Sequence, residues 1–324
     1  MARREIANLG ENETIDEVYL VSNKQLRPNR QGNLYLQMQI GDKSGQVNGM
    51  MWNANDHVYR KFDDGDYVRI QGTSQFYNGA MQIIVSGIER VDVKEVDESY
   101  FVHLGGAEID GLRGQLAEML RGMKNPHLRN LAECFLIDEE FMQRFCRAPA
   151  GVKNHHAYHG GLLEHVVNLM KVSQAIVPFY PQIDADLLLI GAFTHDLGKI
   201  DELTYDKGFA YSDEGQLIGH LVMGVALIDE KAHEAEKLGG EPMPYELVLR
   251  VKHMVVSHHG KLEFGSPKVP MTLEALALNY LDTLDAHVIS YGKLIEEDIN
   301  TDSAWTIYHA PIGRKLYKGE PPRS

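Results

Sequence analysis

The chain has 324 residues, 44% of them hydrophobic, which predicts a globular protein of two domains. Its formal net charge of −14 argues against a basic protein that coats duplex DNA, because neutralising phosphates requires clustered Lys and Arg. No apolar run is long enough to span a membrane, and the first residues lack the apolar core of a signal peptide, so we expect a cytoplasmic protein. The two cysteines, Cys134 and Cys146, fit a reducing compartment.

Residues 18–91 predict short β-strands, because apolar residues recur there at every second position. Leu34, Leu36 and Met38 alternate with more polar neighbours, and turn sequences such as Asn78-Gly79 separate the segments. About five strands result, with a helix over residues 55–62 between the third and the fourth, which is the element order of a small Greek-key barrel. In residues 35–45, 52, 62–68 and 77–79 the chain resembles the OB-fold.

Aromatic and basic residues of this barrel are candidates for binding single-stranded nucleic acid, in which bases stack on rings while cations contact phosphates. For any single aromatic residue, packing inside the barrel is the commoner role. The segment 24–33 is the most persuasive part because it carries three cations and no acid. The candidates are Lys24, Arg27, Arg30, Tyr35, Trp52, Arg69, Phe76 and Tyr77.

The pattern changes near residue 95, which predicts a first domain over 1–95, an all-α domain over 96–310 and a tail over 311–324. Beyond Tyr100 apolar residues recur at helical intervals of three and four. Residues 1–95 carry 11 basic and 13 acidic side chains, against 21 and 33 in the remainder, so the first domain is the better candidate for meeting a polyanion. We expect the tail to be loosely ordered or packed on the surface.

Four predicted helices of the second domain place His or Asp on an apolar face or at a helix end. One buried histidine is usually a satisfied core residue, but a set of this size indicates a metal site. It exceeds what one ion needs, so we expect two divalent ions bridged by a carboxylate, with manganese, iron, cobalt and zinc all compatible. The predicted ligands are His165, His195, Asp196, His220, His258, His259 and Asp282.

Two adjacent ions favour phosphoester hydrolysis. The order His165, His195-Asp196, Asp282 resembles the HD-domain metal-dependent phosphohydrolases, whose fold is a helical bundle. The resemblance implies that Lys199 meets phosphate or transition-state charge beside a catalytic Asp196. It also implies two ligand groups, His165, His195, Asp196 and Asp282 for the first ion, and Asp196, His220, His258 and His259 for the second. Asp285 stays open as an alternative to Asp282 or as a substrate contact.

The barrel followed by the motifs at 155–165, 195–199, 257–260 and 281–286 resembles the YhaM-type 3′-to-5′ exoribonucleases over roughly residues 14–300. The resemblance implies hydrolysis of single-stranded RNA, or DNA, to nucleoside monophosphates with a manganese-like cofactor. The barrel would then feed the strand to the helical site. His155, His156 and His159 are equally compatible with substrate contacts and with local hydrogen bonding.

Two other functions remain open from the residues. The first is a phosphohydrolase or phosphodiesterase that acts on small nucleotides with the same metals, for which a barrel is superfluous. The second is a non-catalytic protein that binds single strands, against which the complete set of ligands speaks. A homo-oligomer is compatible with the sequence.

Overall fold

The computed structural model describes residues 3–29, 31–77, 80–97, 100–101, 104–152, 156, 158–205, 209–296, 298, 300 and 302–319. The chain divides into two compact units, Met1–Gly106 together with Thr204–Ala210, and Ala107–Leu203 together with Tyr211–Ser324. Within the described residues, no helix is both long enough and apolar enough to cross a membrane.

A closed five-stranded barrel forms the first unit, in the order β1-β2-β3-β5-β4. All neighbouring strands are antiparallel except β3 and β5, which are parallel. The strands are β1 (Thr14–Pro28), β2 (Leu34–Asp42), β3 (Gly45–Trp52), β4 (Tyr67–Tyr77) and β5 (Ala80–Arg90). The short helix α1 (Asp56–Tyr59) lies between β3 and β4. The predicted OB-like barrel, with its helix between the third and fourth strands, is therefore confirmed.

The barrel interior follows from the period-two pattern of the strands. Leu36, Met38 and Ile40 of β2 are buried, whereas the intervening Gln37 and Gln39 are only partly buried. The basic segment 24–33 is a loop only in part, because residues 25–28 continue β1 and pair with residues 34–37 of β2. The predicted turn Asn78-Gly79 lies outside the described residues.

The second unit is helical, as predicted for an HD-domain bundle. Its central helix is α6, whose residues 187–194 are all buried because they are apolar on every side. Around α6 pack α5, α10 and α11. The helices are α2 (Gly106–Arg121), α3 (Pro126–Leu136), α4 (Glu139–Arg147), α5 (Gly161–Ile176), α6 (Ala185–Thr194), α7 (Lys199–Glu202), α8 (Asp213–Leu217), α9 (His220–Gly239), α10 (Tyr245–Ser257) and α11 (Leu273–Glu296).

Two short segments complete the chain. The segment after α7 contains a two-stranded hairpin of β6 (Leu203–Thr204) and β7 (Ala210–Tyr211). The C-terminal tail has fixed backbone contacts, since isolated bridges join Trp305 to Tyr317 and His309 to Arg314.

Candidate metal centre

Five helices, α5, α6, α9, α10 and α11, bring all seven predicted ligands together. His165 and Asp282 project from within α5 and α11. The other five occupy helix ends, with His195 directly after α6, His220 as the first residue of α9 and His258 directly after α10. Helix carboxyl ends carry partial negative charge, so the ends of α6 and α10 favour a cation at this position.

Four of these side chains form a compact first group of donor atoms. The Nε2 atom of His165 lies 3.2 Å from His195 Nε2 and 3.3 Å from Asp282 Oδ1. Asp196 Oδ2 lies 3.3 Å from His195 Nε2 and 3.9 Å from His165 Nε2. Ligands bonded about 2.1 Å from one ion lie roughly 3.0–3.5 Å apart. Three of these four distances fall in that range and the 3.9 Å distance is longer, so the group is compatible with one coordination sphere.

The other oxygen of Asp196 faces a second group. Asp196 Oδ1 lies 3.5 Å from His258 Nε2 and 3.7 Å from His220 Nε2. Candidate donor atoms of His220, His258 and His259 lie within 4.8 Å of one another. Asp196 Oδ1 and His220 Nε2 are both buried without a hydrogen bond to any described residue, which is costly unless a further partner is present. A divalent cation fits this donor set.

Hydrogen bonds on the far side of each ring orient the histidines. His195 Nδ1 lies 2.9 Å from the carbonyl oxygen of Ala192, and His258 Nδ1 lies 2.8 Å from that of Val255. Both carbonyls belong to the last turn of a helix, where carbonyl groups have no N–H partner within the helix. Because a carbonyl only accepts, the proton is assigned to Nδ1, and Nε2 presents its lone pair to the centre.

The other three rings repeat this arrangement with different acceptors. The Nδ1 acceptors are Asp285 Oδ2 for His165 at 2.8 Å, Glu202 Oε1 for His220 at 2.9 Å and the Phe264 carbonyl for His259 at 3.0 Å. All five histidines thus have an acceptor at Nδ1, a pattern typical of metal ligation.

Charge at the centre is balanced within the cluster. Burial alone would raise the pKa of Asp196, but Lys199 and His195 hold it well below its usual range. Lys199 Nζ donates to Asp196 Oδ2 at 2.6 Å. Burial lowers the pKa of His165, yet hydrogen bonds to Asp282 and Asp285 raise it to about 9. The carboxylates are therefore ionised at neutral pH and can bind a cation.

The two aspartates of α11 occupy different places. Asp282 Oδ1 lies among the central donor atoms, whereas Asp285 Oδ2 bonds the outer nitrogen of His165. Asp285 also lies 3.5 Å from His156 Nε2. This geometry favours Asp282 as the ligand, and the assignment stays a prediction.

The histidines before α5 make local contacts. The buried His156 has its Nδ1 3.0 Å from both Tyr158 Oη and Glu164 Oε2. His159 Nδ1 lies 3.3 Å from the carbonyl of Arg147. His155 lies outside the described residues. For His156 these bonds support local hydrogen bonding over substrate contact.

Gly198 allows two segments of the site to approach closely. Its backbone is in the ordinary right-handed helical region, at φ −61°. A Cβ at this position would lie 2.1 Å from the carbonyl oxygen of His220. The missing side chain therefore lets the start of α9 approach the His195-Asp196 corner.

On the barrel, three candidate residues form a row across neighbouring strands. Arg27 of β1 is opposite Tyr35 of β2, which is opposite Trp52 of β3. The Tyr35 and Trp52 ring centroids are 5.4 Å apart, and Trp52 is 50% exposed. This row has the aromatic and basic groups that single strands use.

The remaining barrel candidates are more scattered. Lys24 donates to the carbonyl of Tyr59 at 2.8 Å and to Asp63 at 3.1 Å, so its ammonium has internal partners. Arg69 forms a two-point ion pair with Asp16. Binding phosphate would require either cation to break these bonds. Phe76 is half-buried and Tyr77 exposed at the end of β4, and Arg30 lies outside the described residues.

Sequence reasoning missed two carboxylates that support the site. Glu202 accepts from both the backbone N–H and the ring of His220. Glu164 contacts His156 and Tyr158. Glu164 precedes the predicted ligand His165 by one residue, and Glu202 follows Asp196 by six. Glutamates on helices are common, however, and only the three-dimensional contacts distinguish these two.

Comparison with known proteins agrees with this architecture. Residues 20–91 match the OB-fold nucleic acid binding domain, and residues 162–287 match the HD domain. The 3′-5′ exoribonuclease YhaM of Geobacillus sp. (strain WCH70) is 32% identical over 288 residues, covering 89% of this chain and 86% of the relative. That of Bacillus subtilis (strain 168) is 31% identical over 285 residues, covering 88% of each.

This chain belongs to the YhaM 3′-5′ exoribonuclease family. All seven predicted ligands fall within the HD match, and the aromatic row lies within the OB-fold match. Among solved structures, the second OB-fold domain of replication protein A from Methanococcus maripaludis covers 28% of this chain and 95% of its own, at 18% identity and a TM-score of 0.23.

Proposed function

We propose that the protein is a metal-dependent 3′-to-5′ exonuclease that hydrolyses single-stranded RNA to nucleoside monophosphates, with DNA as a second substrate. The observation that carries this proposal is the position of Asp196, whose two oxygens face two separate groups of histidine donors. Relatives that match most of the chain are named 3′-5′ exoribonuclease YhaM, which supports the substrate and the direction.

The donor set fits two divalent ions, and we propose manganese. His165, His195 and Asp282 would hold the first ion, and His220, His258 and His259 the second, with Asp196 shared. The mixture of nitrogen and oxygen donors without thiolates suits a catalytic site. When bound, such a pair supplies polarisation of the phosphoryl group and an acidified water.

Side chains next to the proposed ligands would orient the histidine rings and neutralise charge on the phosphate. The Lys199 ammonium, 2.6 Å from Asp196 Oδ2, can move toward a phosphate oxygen when a cation takes its place on the carboxylate. Asp285 and Glu202 fix the rings of His165 and His220 from behind. Because these hydrogen bonds fix the orientation of the two rings, the side chains need to move little as charge develops on the phosphoryl group.

We assign strand binding to residues 1–95 and hydrolysis to residues 96–310. The Arg27, Tyr35 and Trp52 row supplies a cation and stacking surfaces on the barrel. The free, buried Cys134 and Cys146 are consistent with action in the reducing cytoplasm. Neither a small-nucleotide phosphohydrolase nor a non-catalytic single-strand binder is favoured by the relatives.

The decisive assay incubates 5′-labelled single-stranded RNA with the protein and manganese. We expect a ladder that shortens from the 3′ end, with mononucleotides as products, and its loss in Asp196→Ala. Matched 5′-labelled DNA measures the second substrate. Internal cleavage, or hydrolysis of free nucleotides without shortening of RNA, would contradict the proposal.

A further inference from the structure

The C-terminal hairpin, defined as residues 303–318, is a basic segment in an otherwise acidic part of the chain. It carries Arg314, Lys315 and Lys318 and no Asp or Glu, whereas residues 96–324 together hold 21 basic and 33 acidic side chains. A polyanion is repelled by most of such a surface, so a local basic segment is where it can bind.

The backbone of the C-terminal hairpin is held in one arrangement. Thr306 N and Lys318 N donate to the carbonyls of Leu316 and Ala304 at 2.9 and 2.8 Å. The Thr306 side chain is fully buried and accepts from Leu316 N at 2.9 Å. Lys318 Nζ donates to the buried carboxylate of Asp298 at 2.8 Å. Lys318 is therefore a structural anchor, and the hairpin is a preorganised surface.

This scaffold displays aromatic rings to solvent. The paired Trp305 and Tyr317 are 50% and 56% exposed, with ring centroids 5.1 Å apart, and Tyr308 is 59% exposed. Arg314 and Lys315 are also exposed, and neither forms an ion pair with a described residue. Arg314 Nε donates to the carbonyl of Ile312 at 3.2 Å, so its charge still lacks a carboxylate partner among the described residues. Exposed rings and such cations in one segment are the combination that binds bases and phosphates of single strands.

We propose that the C-terminal hairpin is a second binding site for single-stranded RNA, separate from the barrel face. Bases would stack on Trp305, with Tyr317 and Tyr308 as further stacking surfaces, while Arg314 and Lys315 contact phosphates. Flat rings with cations favour nucleic acid over an acidic peptide, which gains little from stacking surfaces. The inference rests on the proposed function, because RNA is the ligand in both.

Tryptophan fluorescence tests the stacking directly. The chain has two tryptophans, so Trp52→Phe leaves Trp305 as the only reporter. We would add oligo(A) RNA of about 20 nucleotides to this full-length variant in EDTA, which stops hydrolysis, and follow RNA anisotropy in the same samples. Quenching of Trp305 that saturates together with anisotropy is the expected result. Bound RNA with unchanged Trp305 emission would overturn the proposal, and an equal effect of an acidic peptide would do so too.

Charge variants provide an independent readout. Replacing Arg314 and Lys315 by Ala should make the dependence of log affinity on log salt about 1.4 less steep, at about 0.7 per lost single-strand contact. The matched control replaces Lys171 and Lys237, two exposed cations on α5 and α9, and should leave the slope unchanged. Equal slopes in both double variants would refute the site. If the slopes are equal but the wild type still shortens RNA from its 3′ end, only the proposal of a second binding site is refuted. If the wild type does not shorten RNA, the proposed exonuclease function is refuted as well.

Discussion

Removal of the Asp285 carboxylate tests how the site is held together. Its Oδ2 lies 2.8 Å from His165 Nδ1, on the side of the ring away from the central donors. Asp285→Ala leaves that nitrogen without its charged acceptor, so the ring loses both its tautomer and its orientation. Loss of such an outer-shell partner costs about 10–100-fold in metal affinity, equivalent to roughly 1.4–2.7 kcal/mol.

Manganese binding is measured by calorimetric titration of the folded variants. Asp285→Asn should be weakened less than Asp285→Ala, because the amide oxygen can still accept from His165. Glu296→Gln, an exposed change on the same helix, should bind as the wild type does. Wild-type affinity in Asp285→Ala would refute the reasoning. A loss as large as that of Asp282→Ala would instead identify Asp285 as a ligand itself.

Three further changes probe other parts of the molecule. Gly198→Ala forces a Cβ to 2.1 Å from the His220 carbonyl and should cost about 1–3 kcal/mol in denaturant unfolding, whereas Gly114→Ala, with open space around it, should not destabilise. Because the pKa of His165 is raised to about 9, manganese must displace a proton from this ring to bind. The manganese affinity measured by calorimetry should therefore rise about tenfold per pH unit up to pH 9. An affinity that does not change with pH would show that the ring is already neutral. Trp52→Ala should weaken RNA binding by about 1–3 kcal/mol in anisotropy, and an unchanged affinity would exclude stacking there.

The helices of the site, and the His and Asp residues that gather there, could be predicted because their signals are local. A run of apolar residues predicts the buried α6. Polar residues at its end must then have hydrogen-bond, ion-pair or metal partners in the interior. The same reasoning applies to His258 after α10 and Asp282 on α11. Periodicity also predicted the barrel, since residues of β2 alternate between inside and outside.

Hydrogen bonds and ion pairs between residues distant in sequence could not be predicted in this way. Arg69 pairs with Asp16, 53 residues away, and Lys24 bonds the carbonyl of Tyr59, 35 residues away. The sequence alone does not show that the cation of a strand residue is already bonded to an acceptor from a distant part of the chain. The distinction between Asp282 and Asp285 has the same origin, because a separation of three residues places both on one helical face, and only the neighbouring ring separates their roles.

The most direct test of the central claim is the number of metal ions bound per chain. Elemental analysis after equilibration with manganese and removal of free ion should give two ions for the wild type. His258→Ala should retain one ion, because the group around His165 and Asp282 is intact, and Asp196→Ala should weaken both sites. A single ion in the wild type, or two ions retained in Asp196→Ala, would contradict a centre bridged by Asp196.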